Sequence, residues 1–268
     1  MKRSITRRLS LEALEDRCCP SVTAHLTGGG TLMIRGSSAD LQITQTAAGS
    51  FDVVDAGVSQ SFSGVNSLHV KLGADNDVVT LDLGGFTGPD ALDRVRIQLG
   101  AGDNQLTIAN GEVGRSLRVQ GGGGIDQVSL LDSLRVNGDL TVHLFAGDDV
   151  ADVAAEVGGR ARFFLGSGND TLTFAGEVGT GRGGDRLQVK GANGDDVVTL
   201  TAEAVLNGRG TVHLGSGNDT FALEVTEPLD LRAFGGGGQD TFEGDATLLS
   251  RPPVGFESFA DEGNVLPE

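Results

Sequence analysis

The chain has 268 residues, with 43 Gly, 12 Phe and neither Tyr nor Trp, a composition that excludes an ordinary globular core built around large aromatics. Gly at this level without a three-residue period excludes collagen, and regularly placed apolar residues exclude a disordered Gly linker. A formal net charge of −17 repels phosphate backbones and anionic lipid heads and concentrates cations, so nucleic acid is not an expected partner. No apolar run approaches the roughly 20 residues that span a bilayer, so no membrane span is expected.

Residues 1–20 form the first predicted unit, a targeting or sorting segment. Five basic residues (Lys2, Arg3, Arg7, Arg8, Arg17) stand against Glu12, Glu15 and Asp16, and those acids interrupt the apolar stretch that a standard signal peptide needs. Leu9, Leu11 and Leu14 among strong helix formers predict a short helix ending before Pro20. The run Arg8-Leu9-Ser10-Leu11-Glu12-Ala13-Leu14-Glu15-Asp16-Arg17, followed by Pro20-Ser21, resembles the planctomycete-type N-terminal motif of large extracellular proteins. That resemblance implies an extracellular or cell-surface location. Cys18 and Cys19 are the only cysteines and are adjacent, so no disulfide framework is expected.

Residues 21–66 are expected to cap the repeats that follow, with a degenerate coil at Arg35-Gly36-Ser37-Ser38-Ala39-Asp40 and a hairpin around Asp55-Ala56-Gly57. From 67 to 249 the chain repeats. Leu165-Gly166-Ser167-Gly168-Asn169-Asp170 and Leu214-Gly215-Ser216-Gly217-Asn218-Asp219 are identical, and aligning on the final residue gives the anchors Asp77, Asn104, Asp126, Asp149, Asp170, Asp196, Asp219 and Asp240. Seven residues before each anchor the column is apolar (Val70, Ile97, Val119, Val142, Phe163, Val189, Val212, Ala233), and so are the second and fourth positions after it, with Thr or Ser mostly between. This is a period of two on both sides of a Gly-rich turn, hence two short strands per repeat. Gly stands two before seven of the eight anchors, where a tight corner demands positive φ; Asp75, the exception, is expected to tolerate it next best. Glu112-Val113-Gly114, Glu156-Val157-Gly158 and Glu177-Val178-Gly179 suggest a third, shorter side.

The expected fold is all-β, a right-handed parallel β-helix with coils of ~23 residues rising about 4.7–4.9 Å each. Antiparallel hairpins in a sandwich or propeller are the alternative, but one turn chemistry recurring once per repeat favours stacking. Residues 250–268, through Phe256 and Phe259, are expected to cover the open end.

Gly166-Ser167-Gly168-Asn169-Asp170-Thr171-Leu172-Thr173-Phe174 resembles the repeats-in-toxin calcium nonapeptide, and the likeness recurs at 122–130 and 215–223. In that family the Asp carboxylates and Gly carbonyls of stacked turns coordinate Ca²⁺. The resemblance implies calcium at Asp77, Asp126, Asp149, Asp170, Asp196, Asp219 and Asp240, weakly held in the way of extracellular modules, with Kd about 0.1–1 mM. The spacing departs from the family, which carries tandem nonapeptides rather than one copy per coil. The same aspartates read as caps of nearby backbone N–H groups, which a repeated turn needs with or without metal.

Polysaccharide lyases and hydrolases share the parallel β-helix, but their sites need carboxylates in a cleft built by long loops, for which these intervals leave little room. Asp148-Asp149 and Asp195-Asp196 fall on the turn register. His143 and His213 lie three coils apart in one outward column, His69 lies in another, and Lys71 and Lys190 are also outward; all read as solvated strand residues, and no catalytic set emerges. The expectation is a non-enzymatic structural repeat protein, adhesin-like or matrix-forming, with calcium, extracellular polysaccharide or surface proteins as partners. The alternatives are a β-helix polysaccharide lyase or hydrolase and a glycan-binding module.

Overall fold

The computed structural model describes residues 22–179 and 185–260; the N-terminal segment with its predicted helix, and Cys18 and Cys19, lie outside the described residues. The chain is a parallel β-solenoid of about seven turns, with coils of about 23 residues. Eight anchors bound seven intervals, so the turn count follows from the repeat count.

Three strand stacks run along the rod. Face A, before the Gly-rich turn, contains Thr31–Gly36, Ser67–Leu72, Leu92–Gln98, the last part of Gln105–Gly123, Asp139–Ala146, Ala161–Ser167, Asp185–Asn193, Arg209–Ser216 and Leu231–Gly237, each parallel to the next. Face B, after the turn, runs from Leu41–Ala47 and Val78–Phe86 through Gln127–Leu130, Val150–Val153, Thr171–Phe174, Val197–Leu200 and Thr220–Leu223 to Thr241–Gly244. Face C is the third, short side: Leu134–Val136, Glu156–Val157, Glu177–Val178 and Val205–Leu206.

The period of two sets this arrangement. The column seven before the anchor points inward and is essentially inaccessible, from Val70 at 0% to Ala233 at 1%; Val128, Leu172 and Phe221 on face B are equally buried. A slip of one residue would put these columns into water and the Thr column into the core, so the pattern specifies register strongly. Val189 sits between Phe163 and Val212, and the Phe163 and Phe174 rings meet edge to face at 5.9 Å.

Both ends depart from the repeat. At the start, Val22–Leu26 runs antiparallel to Thr31–Gly36, and a hairpin, Ser50–Asp55 with Val58–Ser63, continues antiparallel from Leu41–Ala47. At the other end Ser258–Ala260 adds a last parallel strand to Thr241–Gly244, with Phe256 and Phe259 against Phe242 at 5.8 and 5.9 Å.

Two expectations about the turns need correction. In the first coil Ser38, not Asp40, takes the anchor's place: Ser38 is buried and its N–H donates to Asp77 Oδ1, whereas Asp40 is exposed. Positive φ is present at each predicted Gly, from +95° at Gly102 to +144° at Gly217, but Asp75 is not among the positive-φ residues.

Candidate functional site

The anchors do not face solvent. Asp77, Asp126, Asp149, Asp170, Asp196, Asp219 and Asp240 are all 0–1% exposed, so these residues form no acidic outer edge: their side chains turn into the corner between faces A and B. There each carboxylate caps the coil before it. The N–H of Asp126 donates to Asp149 Oδ1 at 2.7 Å, Asp149 to Asp170 at 2.8 Å, Asp170 to Asp196 at 3.0 Å, Asp196 to Asp219 at 2.8 Å and Asp219 to Asp240 at 3.0 Å. Asn104 fits the same line, its Oδ1 accepting from Asp77 N–H at 2.9 Å and its Nδ2 donating to Asp126 Oδ1 at 2.7 Å. Residues outside the repeat close both ends. Ser38 donates its N–H at one, and Glu257 Oε2 accepts from Asp240 N–H at 2.7 Å at the other.

A second ladder, of Asn and Asp one residue before each anchor, lies on the exposed side of the same turns and runs in the opposite sense. Asn169 N–H donates to Asp148 Oδ1, Asp195 N–H to Asn169 Oδ1, Asn218 N–H to Asp195 Oδ1 and Gln239 N–H to Asn218 Oδ1, at 2.6–3.0 Å. The anchor side chains therefore point toward the start of the rod to meet their donors, and the exposed set toward its end. At Asn169–Asp170, Asp195–Asp196 and Asn218–Asp219 the two lines together satisfy both N–H groups of the turn step, which a tight corner denies to the strand ladders. The sequence held the signal for this second line, since the column reads Asn76, Asp103, Ile125, Asp148, Asn169, Asp195, Asn218 and Gln239. Ile125, 45% exposed, breaks it.

Capping leaves one oxygen of most carboxylates unused. Oδ2 of Asp77, Asp149, Asp170, Asp196, Asp219 and Asp240 is buried without a hydrogen-bond partner, whereas Asp126 Oδ2 accepts from Gly122 N–H at 3.0 Å. Desolvation, with the carboxylates one coil away adding repulsion, pushes Asp149 and Asp196 up to about 7 against the lowering effect of the N–H each receives. Asp77, Asp126, Asp170 and Asp219 are also raised, burial leading in each. The anchors lie on a single line and do not converge. Among the described residues no group of three or more His, Cys, Asp or Glu is placed to hold a metal ion.

The remaining sequence candidates lie on face A. Its outward column six before the anchor carries Lys71, His143, Lys190 and His213, and the column eight before carries His69, Arg96 and Arg118. The histidines are not simply solvated: His143 stacks on Phe145 with centroids 3.7 Å apart, and His213 on Phe234 at 4.4 Å. Desolvation, then Arg118 or Lys190 respectively, lowers both imidazole pKa values, which favours the neutral ring.

Fold and turns together define a parallel β-solenoid laced along one edge by two opposed Asx ladders. The chain matches no protein-family model, no curated protein and no solved structure. None of the helices is long and apolar enough to cross a membrane among the described residues.

Proposed function

We propose that this chain is a structural repeat protein of the cell surface or extracellular matrix, a rigid spacer rather than an enzyme. The observation that carries the reading is the use of the repeated aspartates as backbone caps from Ser38 to Glu257. Carboxylates spent on holding coils together are scaffold chemistry. Catalytic acids, by contrast, converge on a cleft. The N-terminal motif supports an exported location. Protease shaving of intact host cells tests it: the protein should be lost from intact cells while a cytosolic marker survives. Protection until lysis overturns the surface reading.

Calcium is the second reading, supported by the unpartnered Oδ2 atoms and by the exposed acids Asp148 and Asp195 beside them. Millimolar Ca²⁺ after exhaustive chelation should then raise the melting temperature, with Mg²⁺ doing less because of its stricter octahedral demand. Asp170→Asn combined with Asp196→Asn should blunt that rise. An unchanged melt, with no binding heat, leaves the aspartates as caps alone.

A further inference from the structure

The charge of this acidic protein is segregated. Face A presents two outward columns beside the turn: Lys71 and Lys190 stand in one, and Arg96, Arg118, Arg162 and Arg232 in the other. Neither column contains an Asp or Glu in any of its nine strands, from Thr31–Gly36 to Leu231–Gly237. The acids of the described residues lie elsewhere, among them those of the turn edge, Asp82, Asp152 and Glu243 on face B, Glu156 and Glu177 on face C, and Asp93, Asp139 and Asp230 at the far ends of face A. A cationic stripe thus runs the length of a molecule whose net charge is −17.

The stripe deepens beside Arg186. Arg160, Arg162, Arg186, Leu187, Gln188 and Thr211 line a cavity of about 260 Å³. Arg186 is only 8% exposed, and its Nε is buried without a hydrogen-bond partner. Asp139 reaches Arg162 at 3.4 Å from a half-exposed position. A guanidinium nitrogen held out of water without a partner is costly, and three arginines lining one cavity form a complement for a planar or tetrahedral oxyanion.

Flat apolar surface accompanies the charge. Phe145 is 40% exposed and is held at φ +80°. The corresponding position in neighbouring coils is Gly122 or Gly166. A non-glycine residue in that conformation is strained, and strain of this kind collects where a surface has a task. Its ring stacks with His143, Lys190 Nζ stands 5.9 Å from the Phe164 centroid, and the His213–Phe234 stack begins three coils on from His143.

We propose that face A binds a linear anionic polysaccharide along the rod axis, with one carboxylate or sulfate seated among Arg160, Arg162 and Arg186 and sugar faces laid on the His–Phe stacks. Charge complementarity favours a thin glycan over a nucleic acid. A duplex brings a phosphate every ~1.7 Å of axis over a wide front and would press its flank against exposed Asp103, Asp148 and Asp195 on the adjoining edge. A single sugar chain, with sparser charge, stays on the stripe. The proposal does not depend on calcium or on a scaffold role.

Titration calorimetry of the full chain at low salt tests it, with polygalacturonate, dextran sulfate, neutral dextran and duplex DNA as probes. At least one of the two acidic glycans should bind, neutral dextran should not, and DNA should bind more weakly. Arg160→Ser with Arg162→Ser, chosen because both lie nearer the surface than Arg186, should weaken glycan binding by about tenfold or more while the melting curve stays in place. Lys71→Ser, several coils away, should weaken it less. Binding of neither acidic glycan, binding indifferent to the double substitution, or DNA bound as tightly as glycan each overturns the proposal.

Discussion

Every anchor aspartate but Asp126 is a carboxylate removed from water for a hydrogen bond from the preceding coil, with its second oxygen left bare. In the charged form such a group is a poor exchange. The rise of Asp149 and Asp196 to about 7 has that cause, and it fixes a sign. The folded state holds these protons at pH values where an unfolded aspartate, near 3.9, has released them. Stability is therefore greatest below the unfolded value, falls as pH rises through the window from about 4 to 7, and levels off above. Each such proton contributes a slope of about 1.4 kcal/mol per pH unit inside the window. Melts at pH 5 should accordingly lie above melts at pH 8, the reverse of ordinary acid denaturation. Asn104 shows that an amide serves in the same place, donating to Gly102 O at 2.9 Å and to the next carboxylate. Asp196→Asn should thus preserve or raise the melting temperature at pH 8 and flatten its pH dependence. A loss of stability at pH 8 as large as at pH 5 would show that the charge of Asp196 is needed.

At the scale of strands and turns, what the sequence revealed and what it hid have different physical origins. The apolar columns were legible because burial on a pleated strand forces a period of two, which survives unequal coil lengths. The direction of the anchor side chain was not, since Asp suits a tight turn whether its carboxylate points to water or inward. Ser38 was hidden because alignment on acids selected Asp40, while the structural need was for a small buried residue presenting an N–H. The basic stripe was present in the aligned columns, but histidines and lysines taken one by one do not show the absence of acids. The Gly column was both legible and correct in cause, which allows a sharp contrast. Gly217 has φ +144°, and a Cβ there would run into the Gly194 carbonyl of the preceding coil; Gly237 meets nothing within 4 Å and aligns with Ser216. Gly217→Ala should destabilise by about 3 kcal/mol or more through strain and overpacking, whereas Gly237→Ser should leave chemical denaturation within about 0.5 kcal/mol of the parent. Equal effects would mean that the corner is softer than its backbone geometry implies.

For the whole molecule, a solenoid is a stack in which each coil touches only its neighbours, so its ends decide whether it remains one particle. The final coil presents Thr241–Gly244 as an edge, and Phe242 is only 1% exposed because later residues cover it. Ser258–Ala260 pairs with that edge, Phe256 and Phe259 pack on the ring, and Glu257 accepts the last anchor N–H. These three functions separate experimentally. Glu257→Ala removes one cap and should cost roughly 1 kcal/mol with the chain still monomeric. A chain ending at Ser250 loses all three at once, and leaves an unpaired parallel strand beside an exposed aromatic. Edges of this kind recruit another strand. The truncated chain should therefore self-associate in light scattering coupled to size exclusion, increasingly with concentration, and its far-UV spectrum should remain that of a β protein because the inner coils keep their neighbours. A truncated chain that stays monomeric with the parental melt would show that the last three strands of the rod protect themselves, and that the C-terminal cover serves some other purpose.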